Sequence, residues 1–280
     1  MIPIGKLKTN MQFNKNLGDL IEVMKLAATT QFNQFRSQQE PSADFIRQLD
    51  EVFGVLLASG VSSDLLTPKE SLPALIFMVS SDEGFLGELN FLLVNKLLDI
   101  KRPQDSVVCV GNQGANYLKE IEMNFAYLDS PGEKIDSEKV SKARDYLLKQ
   151  YLSRSVGRVY VIYSRFINIT AQQVELESLL PLPQTSAASA RPVRDLLVEP
   201  SVRLAIEGWI KVWLEFRLYQ IFWSSKLAEF AARIMHLEGS VQELGKINSH
   251  LRREYFKYLH GLSDKSIREL TAARILQKNK

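Results

Sequence analysis

From about Leu204 to Leu276 the sequence carries a heptad seam, and this constrains the fold more than any other feature. One register is Leu227, Ile234, Val241, Asn248, Tyr255 and Leu262; the other is Phe230, Leu237, Leu244, Leu251 and Tyr258. The steps alternate between three and four residues without a slip. That is the seam of a supercoiled helix rather than the broader stripe of a globular one. No proline follows Pro200. About seventy helical residues would reach roughly 100 Å. No domain built from this chain is that wide, so most of the helix is expected to project from any domain. A helix with one apolar seam also needs a partner.

The start of the chain offers that partner. Leu7, Met11, Leu17, Ile21, Met24, Ala28, Phe32 and Phe35 recur at three or four, with Asn14 filling one seam place. Pro41 marks a kink or break, because its ring clashes with the preceding turn. A second helical stretch carries Phe45, Leu49, Val52, Phe53 and Leu56 and ends near Gly60. The pattern then changes. Ala74–Ser80, Ser106–Val110 and Arg158–Tyr163 are short apolar runs that read as strands buried on both faces. Gln173–Leu180 reads as a fourth strand. Helices are expected at Leu89–Ile100, Gly114–Glu122 and Ser137–Tyr151, the last with Ser137 as N-cap. Strands alternating with helices imply a Rossmann-like α/β domain with a mostly parallel sheet. The expected organisation is therefore residues 1–60 as an N-terminal helical arm, 72–182 as the α/β domain, 183–200 as a polar loop, and 201–280 as the long helix. An antiparallel coiled coil of the two terminal helices would bury both seams within one chain. Asn14 and Asn248 would cost it stability and could fix its register.

Composition and motif searches narrow the function. The 35 basic and 32 acidic side chains nearly balance at a net charge of +3, which argues against nucleic acid as a partner. Cys109 is the single cysteine, so no internal disulfide can form. Runs such as Ala74–Val79 are far too short to cross a bilayer. The first residues lack the apolar core of a signal peptide. A soluble chain is expected, held at a membrane only through partners. There is no G-x-x-x-x-G-K-[ST] phosphate loop, and Gly84 and Gly87 do not complete a G-x-G-x-x-G. Both read as parts of a strand-to-helix turn with Asp82. His236, His250 and His260 lie fourteen and ten residues apart on the long helix, which is not metal-ligand spacing. Glu175 and Glu177 fall on one strand face, which a solvated face explains as well as a carboxylate pair with a function does. No catalytic set, metal site or cofactor site is legible. The dense aromatics Trp209, Trp213, Phe216, Tyr219, Phe222 and Trp223 read as packing of the long helix against the α/β domain.

These motifs, in this order, resemble the gamma-subunit family of F-type ATP synthases over nearly the whole chain. Lys15-Asn16 followed by Met24-Lys25-Leu26-Ala27-Ala28 resembles K-N-T…A-M-K-M-V-A. Ser80 to Asn90, SSDEGFLGELN, resembles S-S-D-R-G-L-C-G-G-L-N. Val159 to Asn168 resembles the strand that ends N-K-F-V-N, and Glu199-Pro200-Ser201 resembles the start of the last helix. Ala228 to Ile234, with Glu238 beyond it, resembles S-E-H-A-A-R-M. There are departures. Thr9, Asn10 and Gln12 stand where the family has charges, and the end of the chain matches I-T-Q-E-[IL] only in part. They suggest a divergent version, of the kind an alternative F-type ATPase would carry.

The resemblance implies a central rotor shaft with no catalytic residue, cofactor or metal of its own. It would couple ion flow to ATP synthesis or hydrolysis. Implied partners are the alpha and beta subunits of the catalytic ring, the epsilon subunit and the membrane c-ring. The shaft would sit peripherally at the cytoplasmic face of the inner membrane, associated with it indirectly. The residues implied at partner or coiled-coil interfaces are Lys15, Asn16, Met24, Lys25, Arg233, Glu238, Asn248 and Tyr255. By resemblance, Met24 and Lys25 face a beta-subunit lever, and Arg233 and Glu238 tie the long helix to the first. Asp82, Gly84, Gly87 and Asn90 would lie at the foot of the shaft. Two rivals stay open at this point: a Rossmann-like nucleotide-binding enzyme, and a free-standing coiled-coil scaffold.

Overall fold

Alternation of apolar side chains decides how the central strands are covered. In β1 (Ala74–Val79), Leu75, Phe77 and Val79 point to one face, and Ile76 and Met78 to the other. β2 (Ser106–Val110) and β4 (Arg158–Asn168) divide in the same way. Strands apolar on both sides must be sandwiched. The layer on one face is α2 (Leu89–Ile100) and α3 (Asn112–Glu120), through Leu93, Val94, Leu97, Ala115 and Leu118. The other face is covered by α4 (Ser137–Leu152) and the lower turns of α5 (Val202–Lys278), through Leu147, Tyr151, Ile210, Leu214 and Phe222.

The computed structural model describes residues 4–37, 71–182 and 201–278, with isolated positions between 44 and 69 and at 199. The expected break at Pro41, most of the helical stretch from Phe45 to Gly60, and the loop 183–200 lie outside the described residues. The sheet order is β3-β2-β1-β4-β5, where β3 is Ala126–Leu128 and β5 is Ala171–Leu180. β1 pairs in parallel with β2 and β4, and β2 with β3. β5 runs antiparallel to β4.

Three details depart from the sequence reading. β3 was not expected; its three residues are too few to show a period. β4 continues past Tyr163 to Asn168 because contacts from outside the strand hold it. Phe166 N donates to Ser224 Oγ of α5 at 3.0 Å, and Arg165 pairs with Glu175 of β5 at 2.8 Å. Asn168 then closes the β4–β5 turn by accepting from the N–H groups of Thr170 and Ala171. Finally, Asp136 rather than Ser137 caps α4, its carboxylate accepting from Glu138 N at 2.9 Å.

The first helix, α1, runs Ile4–Ser37. The chain divides into two units, each described by itself. One comprises Met1–Ala28 with Met235–Lys280, the other Thr29–Ile234.

Candidate functional site

In the first unit the heptad reading can be followed residue by residue as far as Tyr258; Leu262, the last seam place expected, is exposed. Leu237 is buried, and Val241, Leu244, Asn248, Leu251, Tyr255 and Tyr258 are half-buried, while the positions between them are mostly exposed. On α1, Leu7 and Ala28 are buried, and Met11, Asn14, Leu17, Ile21 and Met24 are half-buried. Lys25 Nζ donates to Glu238 Oε2 at 2.7 Å, joining the helices from their flanks. Gln242 holds the other oxygen, Oε1, at 3.1 Å. The hydrogen bond to Glu238 raises the Lys25 pKa, and that from Lys25 lowers the pKa of Glu238. Counting about ten residues from this bond along each helix reaches Asn14 and Asn248. Asn248 Oδ1 is buried there with no hydrogen-bond partner. Lys15 and Asn16 are exposed, and Asn16 accepts from Gln12 on the next turn. Tyr255 packs edge-on to Phe256.

The outward faces are unusually apolar. Phe13, Leu20, Val23 and Leu26 on α1 are each more than half exposed, and so are Ile267 and Leu270 on α5. From Gly261 to Arg274 every residue of α5 is exposed.

In the second unit, Phe35 of α1 stacks on Trp223 with ring centres 4.3 Å apart and meets Phe230 edge-on at 5.8 Å. Of the aromatic run, Trp213 and Phe222 enter the core beneath the sheet with Trp209 and Tyr219 against it, as expected, whereas Trp223 packs on Phe35 and Phe216 meets Phe45.

The segment after β1 is clamped to α5. Arg233 is buried. Its guanidinium donates to Glu229 at 2.8 Å, one turn back, and pairs with Glu83 at 3.1 Å. Its Nε donates to the carbonyl of Gly84 at 3.4 Å. Leu86 and Leu89 pack on Ala232. The expectation that Arg233 ties α5 to the first helix is therefore corrected. Its partners lie on the loop after β1 and on its own helix, because that loop covers this face of α5. Asn90 is buried and bonds both the N–H and the hydroxyl of Ser81. Asp82 accepts weakly from Asn112 N at the start of α3, 3.4 Å away. Phe85 (φ 63°) and Gly87 (φ 59°) take left-handed backbone, and Phe85 is thereby turned outward.

The same geometry bears on the nucleotide alternative. Open α/β sheets bind ligands at the carboxyl ends of their strands, near the point where strand order reverses. Here the order reverses between β1 and β4; beside that point, Phe222, Ser225, Lys226 and Glu229 of α5 lie over the carboxyl ends of β1 and β2 and leave about 20 Å³. A ligand pocket needs on the order of 300 Å³ or more. The glycines of this corner are spent on packing. A Cβ on Gly111 (φ 96°) would fall 2.2 Å from the Ser80 carbonyl oxygen, and one on Gly114 would fall 2.3 Å from Ser80 Oγ. That hydroxyl donates to Val110 O and accepts from Gly114 N, occupying the amino end of α3. Cys109 is buried, and burial pushes its thiol up to about 12.

Comparison with known proteins follows the same lines. The sequence model of the ATP synthase family matches residues 4–258. The ATP synthase gamma chain of Xanthomonas campestris pv. campestris (strain B100) is 24% identical over 277 residues, covering 95% of this chain and 96% of the relative. That of Stenotrophomonas maltophilia (strain R551-3) is 23% identical over 275 residues, with the same coverage of 95% and 96%. Among solved structures, a chain of the Euglena gracilis mitochondrial ATP synthase rotor superposes with a TM-score of 0.71 at 16% identity. It covers 92% of this chain and 98% of that one. A chain of the Tetrahymena thermophila mitochondrial ATP synthase central stalk and c-ring gives 0.56 at 17% identity, covering 81% and 98%. At these identities the structural likeness establishes the fold.

Proposed function

The chain belongs to the ATP synthase gamma-chain family, and from that premise we propose that it is the central rotor shaft of a rotary F-type ATP synthase. It is a non-catalytic subunit. Its partners are the alpha and beta subunits of the catalytic ring, the epsilon subunit and the membrane c-ring. It works as part of the membrane-bound ATP synthase complex, peripherally at the cytoplasmic face of the inner membrane. No described helix is long and apolar enough to cross a bilayer, and association with the membrane runs through the partners.

The observation that carries this reading is the last part of α5. Between Gly261 and Arg274 every residue of it is exposed. A lone helix of this length is marginal in water, and Ile267 and Leu270 give it apolar flanks. Such a segment needs a sleeve from outside the chain, which a ring of alpha and beta subunits supplies. An asymmetric pair of helices inside that ring offers a different face to each catalytic site. Turning it changes each site's conformational equilibrium in sequence, because the contacts differ between states. Met24 and Lys25, with the exposed Lys15 and Asn16, belong to the stretch that meets the ring. Asp82, Gly84, Gly87 and Asn90 belong to the foot, near the epsilon subunit and the c-ring. Lys25→Ala is expected to weaken the coupling of ion flow to ATP turnover.

The test is purification of the tagged chain from detergent-solubilised membranes. Alpha and beta subunits are expected to accompany it, and the chain by itself is expected to hydrolyse no ATP. Recovery of the chain without them, or ATP turnover that follows it through every column, would refute the shaft.

A further inference from the structure

Lys25 lies where a shaft would meet its ring, yet its ammonium is bound within the chain. The Glu238 carboxylate that accepts it is held on both oxygens, by Lys25 and by Gln242 from the next turn of α5. Ala28 and Leu237, among the most buried residues of this unit, lie beside it. A small residue at that place allows close approach of the helices. The seam sets which face of each helix turns inward, but apolar contact has no direction and only weakly opposes small rotations about the helix axis. A charge-assisted hydrogen bond has a direction. Val23 and Leu26, the most exposed apolar residues of α1 at this level, flank Lys25 in sequence and face away from the seam.

We infer that Lys25 is a positioning residue that acts through Glu238: the bond between them steadies the angle at which α1 presents Val23 and Leu26 to a surrounding ring of alpha and beta subunits. The role in coupling rests on the rotor reading; the clamp does not.

Amide exchange in the full-length chain measures the clamp. Lys25→Glu and Glu238→Lys are each expected to lower protection across Leu20–Ala28 about two- to fivefold, as for other half-exposed ion pairs, and the double reversal to restore it. No recovery in the double variant would overturn the inference. The chain is then assembled with alpha and beta subunits on membrane vesicles, and ions pumped per ATP hydrolysed are measured. Each single reversal is expected to lower that ratio, and the double variant to recover it. If Lys25 instead acted on a partner, the double variant would pump as poorly as Lys25→Glu alone, and the positioning role would fall. Should the parent chain fail to assemble at all, the rotor reading fails and takes the coupling role with it. The exchange data still decide the clamp.

Discussion

At the scale of single residues, buried charge and close packing set the largest effects. Arg233 is the cation shared by Glu229 and Glu83. Removing one partner of a buried pair leaves the other charge uncompensated, although Lys226 still pairs with Glu229 at 2.9 Å. Arg233→Ala is therefore expected to cost about 2 kcal/mol. It should also raise amide exchange in the loop from Glu83 to Leu86, and unchanged exchange there would contradict the clamp on that loop. Gly111→Ala combines a left-handed φ with a clash against backbone. A loss of about 2 kcal/mol or more in chemical unfolding is expected. The Lys25–Glu238 pair has a definite pH window. Glu238's lowered pKa means its contribution is complete above the ordinary carboxylate range and is lost as pH falls through the lowered value. Lys25's raised pKa means its contribution is complete below the ordinary lysine range and lost only as pH rises past the raised value. Protection across Leu20–Ala28, corrected for intrinsic exchange, should stay level through neutral pH and drop in acid.

At the scale of elements, the paired helices are less stable than their length allows. Gly239 and Gly245 lie within α5, and a Cβ on either would meet nothing within 4 Å. Glycine in an exposed helix interior costs about 1 kcal/mol relative to alanine. Gly245→Ala is expected to stabilise the isolated chain by that amount in thermal unfolding. Asn248 places an unpartnered amide oxygen in the seam, and Asn248→Leu is expected to stabilise by about 1 kcal/mol more. A fall in stability with the leucine would mean that the asparagine has a partner in solution. The heptad seam made both terminal helices legible, since its period depends only on which side chains face inward. β1, β2 and the core of β4 were legible for a related reason: strands sandwiched on both faces read as unbroken apolar runs. β3 was not, and neither was the extension of β4, because a partner strand and a serine of α5 hold those residues.

For the whole molecule, the question is which parts the chain stabilises by itself. Among the described residues, α5 keeps buried or half-buried seam positions as far as Tyr258, whereas from Gly261 to Arg274 every residue is exposed. Ending the chain after His260 is expected to leave thermal unfolding of the rest unchanged. In the intact isolated chain, the removed segment should exchange its amides as fast as a free peptide. Assembly with alpha and beta subunits should slow that exchange. If those amides are already protected in the isolated chain, the segment has a partner within it, and the need for an outside sleeve disappears.

The sequence by itself determined that two long helices share one seam, that an α/β domain lies between them, and which motifs carry the family likeness. These follow from periodicity and local composition, which are properties of neighbouring residues. Only the tertiary structure decided that Arg233 grips the loop after β1, that Lys25 is held by Glu238, and that α5 covers the carboxyl ends of β1 and β2. Each of these joins residues more than a hundred positions apart, except where α5 bonds to itself. Such pairings are selected by the packing of whole elements and leave no period in the chain.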